Sequence, residues 1–262
     1  MAMIVTRQRG IIYEINLNRP EKRNAIQVQM LEEIAAAVTE AEQTPGVRAI
    51  IVRGEGDCFS AGLDFIAMGG MPAALGDNWM KQGYRATRMW QTNIHRLQQS
   101  TLPTIALLHS YTLGAGLELA LGCDLRIAAD NVVISLEEAR LGMIPDAGGT
   151  SNLTLIVGAA RAKELIFTGR RIDAATADKW GLVNQVVPLD NLIAAGDALA
   201  EEIALSAPLA VAAAKRVING IENNASGLHL EMIEQTPLFQ TKDIMEGLQS
   251  KMERRQATWK GE

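Results

Sequence analysis

Ile105 to Thr150 reads IALLHSYTLGAGLELALGCDLRIAADNVVISLEEARLGMIPDAGGT. The apolar run Ile105–Leu108 suits a short buried strand, and the small-residue turn Leu113-Gly114-Ala115-Gly116 follows it. Leu117, Leu119, Ala120 and Leu121 then carry helical spacing. The β-branched run Val132-Val133-Ile134 suits a second strand, followed by a segment carrying Glu137 and Glu138 and by the turn Pro145-Asp146-Ala147-Gly148-Gly149. A glycine-rich helix start can aim backbone N–H groups at an anion. Glu118 sits just inside that start, and Glu138 comes twenty residues later, where the chain could fold back against it.

Outward from this stretch, residues 3–18 alternate like a hairpin turning near Gly10, and Asn18-Arg19-Pro20-Glu21 ends it. Helical spacing runs from Gln27 to Glu42 and stops before Pro45-Gly46; Val47 to Arg53 is a short buried strand. Strand–helix–strand order predicts βαβ units, hence an α/β fold with a partly parallel sheet. Residues 66–80 combine Gly, Ala and Met with weak periodicity and read as a loop or broken helix, and residues 81–99 as a helix. Beyond Thr150 the pattern is mostly helical, at 151–157, 159–167, 174–180, 189–205, 208–222, 226–235 and 241–254, with an extended piece at Leu182–Val187. Polar spacers rather than a linker join the halves, so the C-terminal part reads as a helical layer docked on the core.

The net charge of −5 over 262 residues supplies no basic face for phosphates, so no nucleic-acid partner is expected. With 48% hydrophobic but 4% aromatic residues, the core is aliphatic. Cys58 and Cys123 lack metal or redox spacing and read as buried thiols. His95, His109 and His229 form no ligand cluster. No signal-peptide order and no membrane-length apolar run is present, so a cytoplasmic protein is expected.

Two small-residue turns follow strands, Ala61-Gly62-Leu63-Asp64 and Gly114-Ala115-Gly116. One N–H from each could bind a polarised carbonyl oxygen; ordinary strand-to-helix turns remain the alternative. Glu118 and Glu138 both lie among apolar residues. Desolvation and mutual repulsion would push their pKa values apart, as acid/base work on water or on a proton beside a carbonyl requires. Alternatively, Glu118 pairs with Arg126 and Glu138 is a solvated helix-start residue.

At these residues the chain resembles the crotonase superfamily, the enoyl-CoA hydratase/isomerase group. The likeness runs from Leu17-Asn18-Arg19-Pro20-Glu21-Lys22-Arg23-Asn24-Ala25 through Phe59–Asp64, Gly114–Ala120 with Cys123-Asp124, and Glu138–Pro145 with Gly148-Gly149-Thr150. It continues through Thr168-Gly169 and Trp180–Val183 to Glu246-Gly247 and Glu253-Arg254-Arg255. The resemblance implies a crotonase-like spiral of ββα units over residues 1–200. Residues 201–262 would form a C-terminal helical trimerisation region, assembling trimers or dimers of trimers. Leu63 and Ala115 match the oxyanion-hole positions. Glu118 and Glu138 match the two hydratase glutamates, with Glu138 delivering the α-carbon proton and Glu118 holding and deprotonating water. Lys22, Arg23 and Ala25, with Ala61, Asp64 and Gly114, fall in the segments that line the acyl-CoA site. No metal or redox cofactor is implied, coenzyme A being part of the substrate.

The chain departs from the hydratase pattern at Ala115, where glycine is commonest, and at Asp146, where typical hydratases carry glycine. Isomerases and a dehalogenase of the family place a working aspartate at the latter position. Hydration of an enoyl-CoA is therefore the favoured reading, with enoyl- or dienoyl-CoA isomerisation through Glu138 and Asp146 second. An inactive acyl-CoA-binding member is the remaining alternative, and an Asp in a turn after proline is common in its own right. Met68, Met71 and Met80, with Trp79, are the candidate acyl-pocket wall, with surface or packing roles as the alternative.

Overall fold

The computed structural model describes residues 2–68, 76, 81, 83–222, 232 and 235–258. The expected hairpin is present as antiparallel strands β1 (Ile4–Arg9) and β2 (Ile12–Leu17). Helix α1 (Val28–Gln43) buries Met30, Leu31, Ile34, Val38 and Ala41 as its spacing predicts, with Ala37 buried where the spacing pointed to Ala35, and delivers the chain to β3 (Ala49–Gly54). The short α2 (Phe65–Met68) and the longer α3 (Gly83–Gln98) lead to β4 (Thr104–Leu108). Most of the 66–80 segment, with Met71, Trp79 and Met80, lies outside the described residues, as does His229.

The stretch from Ile105 to Thr150 then supplies β5 (Tyr111–Leu113), α4 (Ala115–Leu121), β6 (Leu125–Ala129) and β7 (Val133–Ser135). A 3-10 turn at Glu138–Leu141 precedes α5 (Gly149–Val157), α6 (Ala159–Thr168), β8 (Ile172–Asp173), α7 (Ala174–Trp180) and β9 (Gln185–Val187). Helices α8 (Leu192–Ala204), α9 (Pro208–Glu222) and α10 (Lys242–Glu253) follow. The helix expected at 226–235 falls mostly outside the described residues.

The larger sheet has the order β1-β2-β3-β4-β6-β9, parallel except for the opening hairpin. A second sheet has the order β5-β7-β8, and a bridge between Ser60 and Thr112 adds to its edge. Successive units therefore place one strand in the larger sheet and the next in the smaller: β4 then β5, β6 then β7. Each ββ pair runs on into helix, so the chain winds as the spiral of ββα units that the resemblance implies.

Strict alternation along the parallel strands separates two cores. Ile50, Val52, Ala106, Leu108 and Ala128 face α1 and the main core. Ala49, Ile51, Ile105, Leu107 and Ile127 face the other way, where Leu192 and Ala200 of α8 cover them. A sheet covered on both sides is what unbroken apolar strands require. Strand β6 is not announced by such a run, because Arg126 interrupts it. That residue is only 6% exposed, with Nε on the Leu182 carbonyl at 2.8 Å and Nη1 on the Cys123 carbonyl at 2.8 Å. A charge inside a buried strand is tolerable when carbonyls accept its protons.

Helix α10 returns from the C-terminal region and packs on the 3-10 turn at Glu138–Leu141 through Gly247. A Cβ there would lie 2.5 Å from the Leu141 carbonyl oxygen. Gly247→Ala should therefore cost about 1–3 kcal/mol of stability, read as a lowered urea midpoint. Gly220→Ala on α9, where nothing lies within 4 Å of an added Cβ, is the matched control and should be neutral or stabilising.

Candidate active site

The two small-residue turns meet. Gly62 (φ +95°) and Gly114 (φ +50°, ψ −124°) hold backbone conformations that L side chains resist. A Cβ on Gly62 would lie 2.8 Å from the Leu113 carbonyl and 3.7 Å from the Ala115 nitrogen, so the turns are in van der Waals contact. Ile26 donates to the Gly62 carbonyl at 2.7 Å and accepts from Asp64 N–H at 2.8 Å. The Leu63 N–H between them consequently points off the opposite edge. The Ala115 N–H opens α4 and has no residue four back to bond. Neither N–H is donated to a protein acceptor among the described residues, and both residues line one cavity of roughly 140 Å³.

Glu118, Glu138 and Asp146 line the same cavity, with Glu137 at its rim. Glu118 is 3% exposed, and its Oε1 accepts from the Ala147 N–H at 2.7 Å and the Gly149 N–H at 3.1 Å. The turn after Pro145 thus fixes the glutamate on α4. Glu138 opens the 3-10 turn after β7, with Oε1 2.7 Å from where a Cβ on Gly114 would stand. Its Oε2 is buried without a hydrogen-bond partner among the described residues. Desolvation, then the charges of Asp146 and Glu137, push the Glu138 carboxyl up to about 8.

Asp146 faces this group from the post-proline turn. Desolvation raises its carboxyl to about 6, against the lowering effect of a hydrogen bond from Thr87 Oγ1 to Oδ2 at 2.5 Å. Gln91 Nε2 donates to the Asp146 carbonyl at 2.7 Å. Phe65, Ala86, Trp90, Leu141, Met143 and Phe239 supply apolar wall. At the rim, Glu137 pairs with Arg171 at 2.8 Å, and Lys251 approaches it at 3.8 Å.

The family profile described as enoyl-CoA hydratase/isomerase matches residues 6–262. The chain belongs to the enoyl-CoA hydratase/isomerase family. An enoyl-CoA isomerase/hydratase of Mycosarcoma maydis is 36% identical over 95% of this chain and 93% of its own. An enoyl-CoA hydratase structure from Bacillus anthracis is 37% identical, covering 99% of this chain and 100% of its own, with a TM-score of 0.76. A carnitinyl-CoA hydratase structure from Mycobacterium avium is 32% identical over 100% of both chains, with a TM-score of 0.87.

Within this member of the family, not every candidate residue reaches the cavity. Ala61 and Gly114 line it beside Leu63 and Ala115. The Asp64 carboxylate instead pairs with Arg19 at 2.9 Å and accepts the Ile66 and Ala67 N–H groups that open α2, which holds it below the usual carboxylate range despite desolvation. Lys22, Arg23 and Ala25 lie in the loop behind the first turn, joined to it where Ala61 N–H donates to the Arg23 carbonyl at 2.9 Å. Arg23 also stands over the Tyr111 ring at 5.8 Å.

Asn24 was quoted in the motif without a role, yet it anchors that loop. It is fully buried at φ +52°, and its Nδ2 donates to the Glu55 and Cys58 carbonyls at 2.9 Å. Thr87 carried no sequence signal, since a lone threonine on an amphipathic helix is unremarkable. Cys58 and Cys123 are buried free thiols, as expected. His109 is tied by Nε2 to the Gly56 carbonyl at 3.1 Å. Met143 and Trp90 are methionine and tryptophan wall residues among the described positions.

A carboxyl raised to about 8 has a stability consequence. The folded state retains a proton that the unfolded chain releases at lower pH, so stability is lost as pH rises through the folded value. Glu138→Gln removes that loss. Its melting temperature should match wild type near pH ~4, exceed it increasingly between about pH 5 and 8, and keep a constant advantage above that.

Proposed function

We propose that this protein is an enoyl-CoA hydratase that adds water across the 2,3 double bond of an enoyl-CoA thioester. The observation carrying the reading is that the Leu63 and Ala115 N–H groups, without a protein acceptor among the described residues, share one cavity with Glu118 and Glu138. The thioester oxygen accepts both N–H bonds, which strengthen as it becomes an enolate oxygen. Glu118, fixed by the Ala147 and Gly149 N–H groups, takes a proton from water as the hydroxyl adds to the β-carbon. Glu138, protonated at neutral pH because it is raised to about 8, gives its proton to the α-carbon. Proton transfer from Glu118 back to Glu138 resets the pair, and water is consumed overall. The chemistry calls for no metal or redox group, and coenzyme A enters as part of the substrate.

Asp146 favours a second reading, isomerisation of a 3-enoyl or dienoyl thioester. In that reaction the carboxylate removes a proton from one carbon and Glu138 returns one to another, with the same enolate held by the same N–H pair. The raised values of both carboxyls, about 8 and about 6, suit a pair that exchanges protons near neutrality.

With crotonyl-CoA, disappearance of the conjugated-thioester absorbance tests hydration. Glu118→Gln and Glu138→Gln should each lower kcat by ~10²–10⁴-fold while KM stays nearly constant. Tight crotonyl-CoA binding by wild type without turnover would instead favour an acyl-CoA-binding module. With a 3-enoyl substrate, loss of turnover in Asp146→Ala supports the isomerase reading, and unchanged turnover refutes it.

The assembly we propose is a trimer or pair of trimers built through residues 201–262, and the location is cytoplasmic. Leu205, Leu209, Val217 and Ile218 are exposed along the end of α8 and α9, an apolar set that association would cover. Light scattering should return a mass of three or six chains, and a monomer mass would refute the assembly.

A further inference from the structure

We infer that Thr87 is a positioning residue: its hydroxyl, with the Gln91 amide one turn along the same helix, fixes the Asp146 carboxylate against Glu138 across the substrate cavity. Three observations place it there. Thr87 is 2% exposed, so its hydroxyl has no bulk water to turn to, and Asp146 Oδ2 is its acceptor at 2.5 Å. Gln91 grips the carbonyl of the same aspartate at 2.7 Å, so one helix face holds both the side chain and the main chain of residue 146. Thr87 itself lines the cavity between Ala86 and Trp90, close enough to the reacting groups for its loss to be felt there.

The chemical consequence concerns which carboxyl holds the proton. A donor aimed at one oxygen of Asp146 favours its ionised form, whereas Glu138 Oε2 has no such donor among the described residues. The pair is thereby made asymmetric, with Asp146 as the base and Glu138 as the acid. Other charged groups of the cavity are Glu118 on α4 and, at the rim, Glu137 with Arg171 and Lys251. The nearest cations of α3 itself, Arg85 and Arg88, are exposed. Helix α3 is in turn seated by the C-terminal region, where a Cβ on Gly83 would lie 2.4 Å from the Phe239 ring. Asp146 is therefore positioned by a helix that the C-terminal region itself holds in place.

The catalytic consequence rests on the isomerase reading of Asp146; the positioning does not. Carbon-13 NMR titration of the Asp146 carboxyl in the full-length protein, assigned with Asp146→Asn, separates the two. Thr87→Val, which keeps the shape and removes the hydroxyl, should move the Asp146 titration up by about one pH unit. Thr87→Ser should restore it. Thr87→Ala is the second hydroxyl-free variant should the valine form not fold. In isomerase assays the acid limb of the kcat/KM profile should move up in pH by the same amount, with KM little changed. An Asp146 titration that stays in place without the hydroxyl, or that moves as far in Thr87→Ser, overturns the inference. If the titration responds but wild type moves no double bond in any enoyl thioester, the catalytic reading of Asp146 fails and the positioning stands.

Discussion

Everything at the site depends on one steric contact, the closure of the Gly62 turn on the Leu113–Ala115 turn. The Ser60–Thr112 bridge brings the two segments together, and the missing side chain at Gly62 lets the backbones touch. Bonds from Ile26 on either side of Leu63 then leave its N–H facing outward. In the proposed reading the two N–H groups form an oxyanion site, which needs donors fixed before the charge appears, since donors that must reorganise contribute far less. Here the main chain is fixed by sheet geometry. In that reading the identities of Leu63 and Ala115 matter little, because only their amides are required.

The carboxyls are placed by different elements and acquire different properties from their surroundings. Glu118 hangs from a helix whose start is one of the two turns, and its position is set by the N–H groups of the loop after Pro145. Glu138 sits over the same turn from the end of the smaller sheet, with one oxygen unpartnered among the described residues. A buried, unpartnered carboxyl oxygen is costly and persists in a native structure mainly where function uses it. Asp146 adds a third acid, restrained by Thr87. Side chains from four separate parts of the chain therefore act on one small volume, and the cavity's low polarity raises both Glu138 and Asp146.

The C-terminal region does more than cover surface. Phe239 and Lys251 line the cavity, Gln235 accepts the Ile144 N–H at 3.0 Å, and α10 rests on the turn that carries Glu138. Cavity volume and the placement of its carboxyls are thus coupled to segments far away in sequence. The Arg171–Glu137–Lys251 group marks where the apolar cavity meets polar surface.

The alternating and helical periods of the chain were legible directly: the opening hairpin, α1, α3, the central strand and most C-terminal helices follow from hydrophobic spacing, which is local. The motifs around Gly62, Gly114, Glu118 and Glu138 were legible as motifs, and their resemblance supplied the family. Strand β6 was not legible, because the carbonyls that solvate its buried Arg126 include that of Leu182, which only folding brings near. Nor were the partners of the acids. Sequence could place Asp64 beside a turn but not pair it with Arg19, and it could raise Asp146 as a candidate but not find Thr87, fifty-nine positions away. Periodicity reports which face of an element is apolar; solvation, and hence the protonation of a carboxyl, depends on what packs around it from every direction.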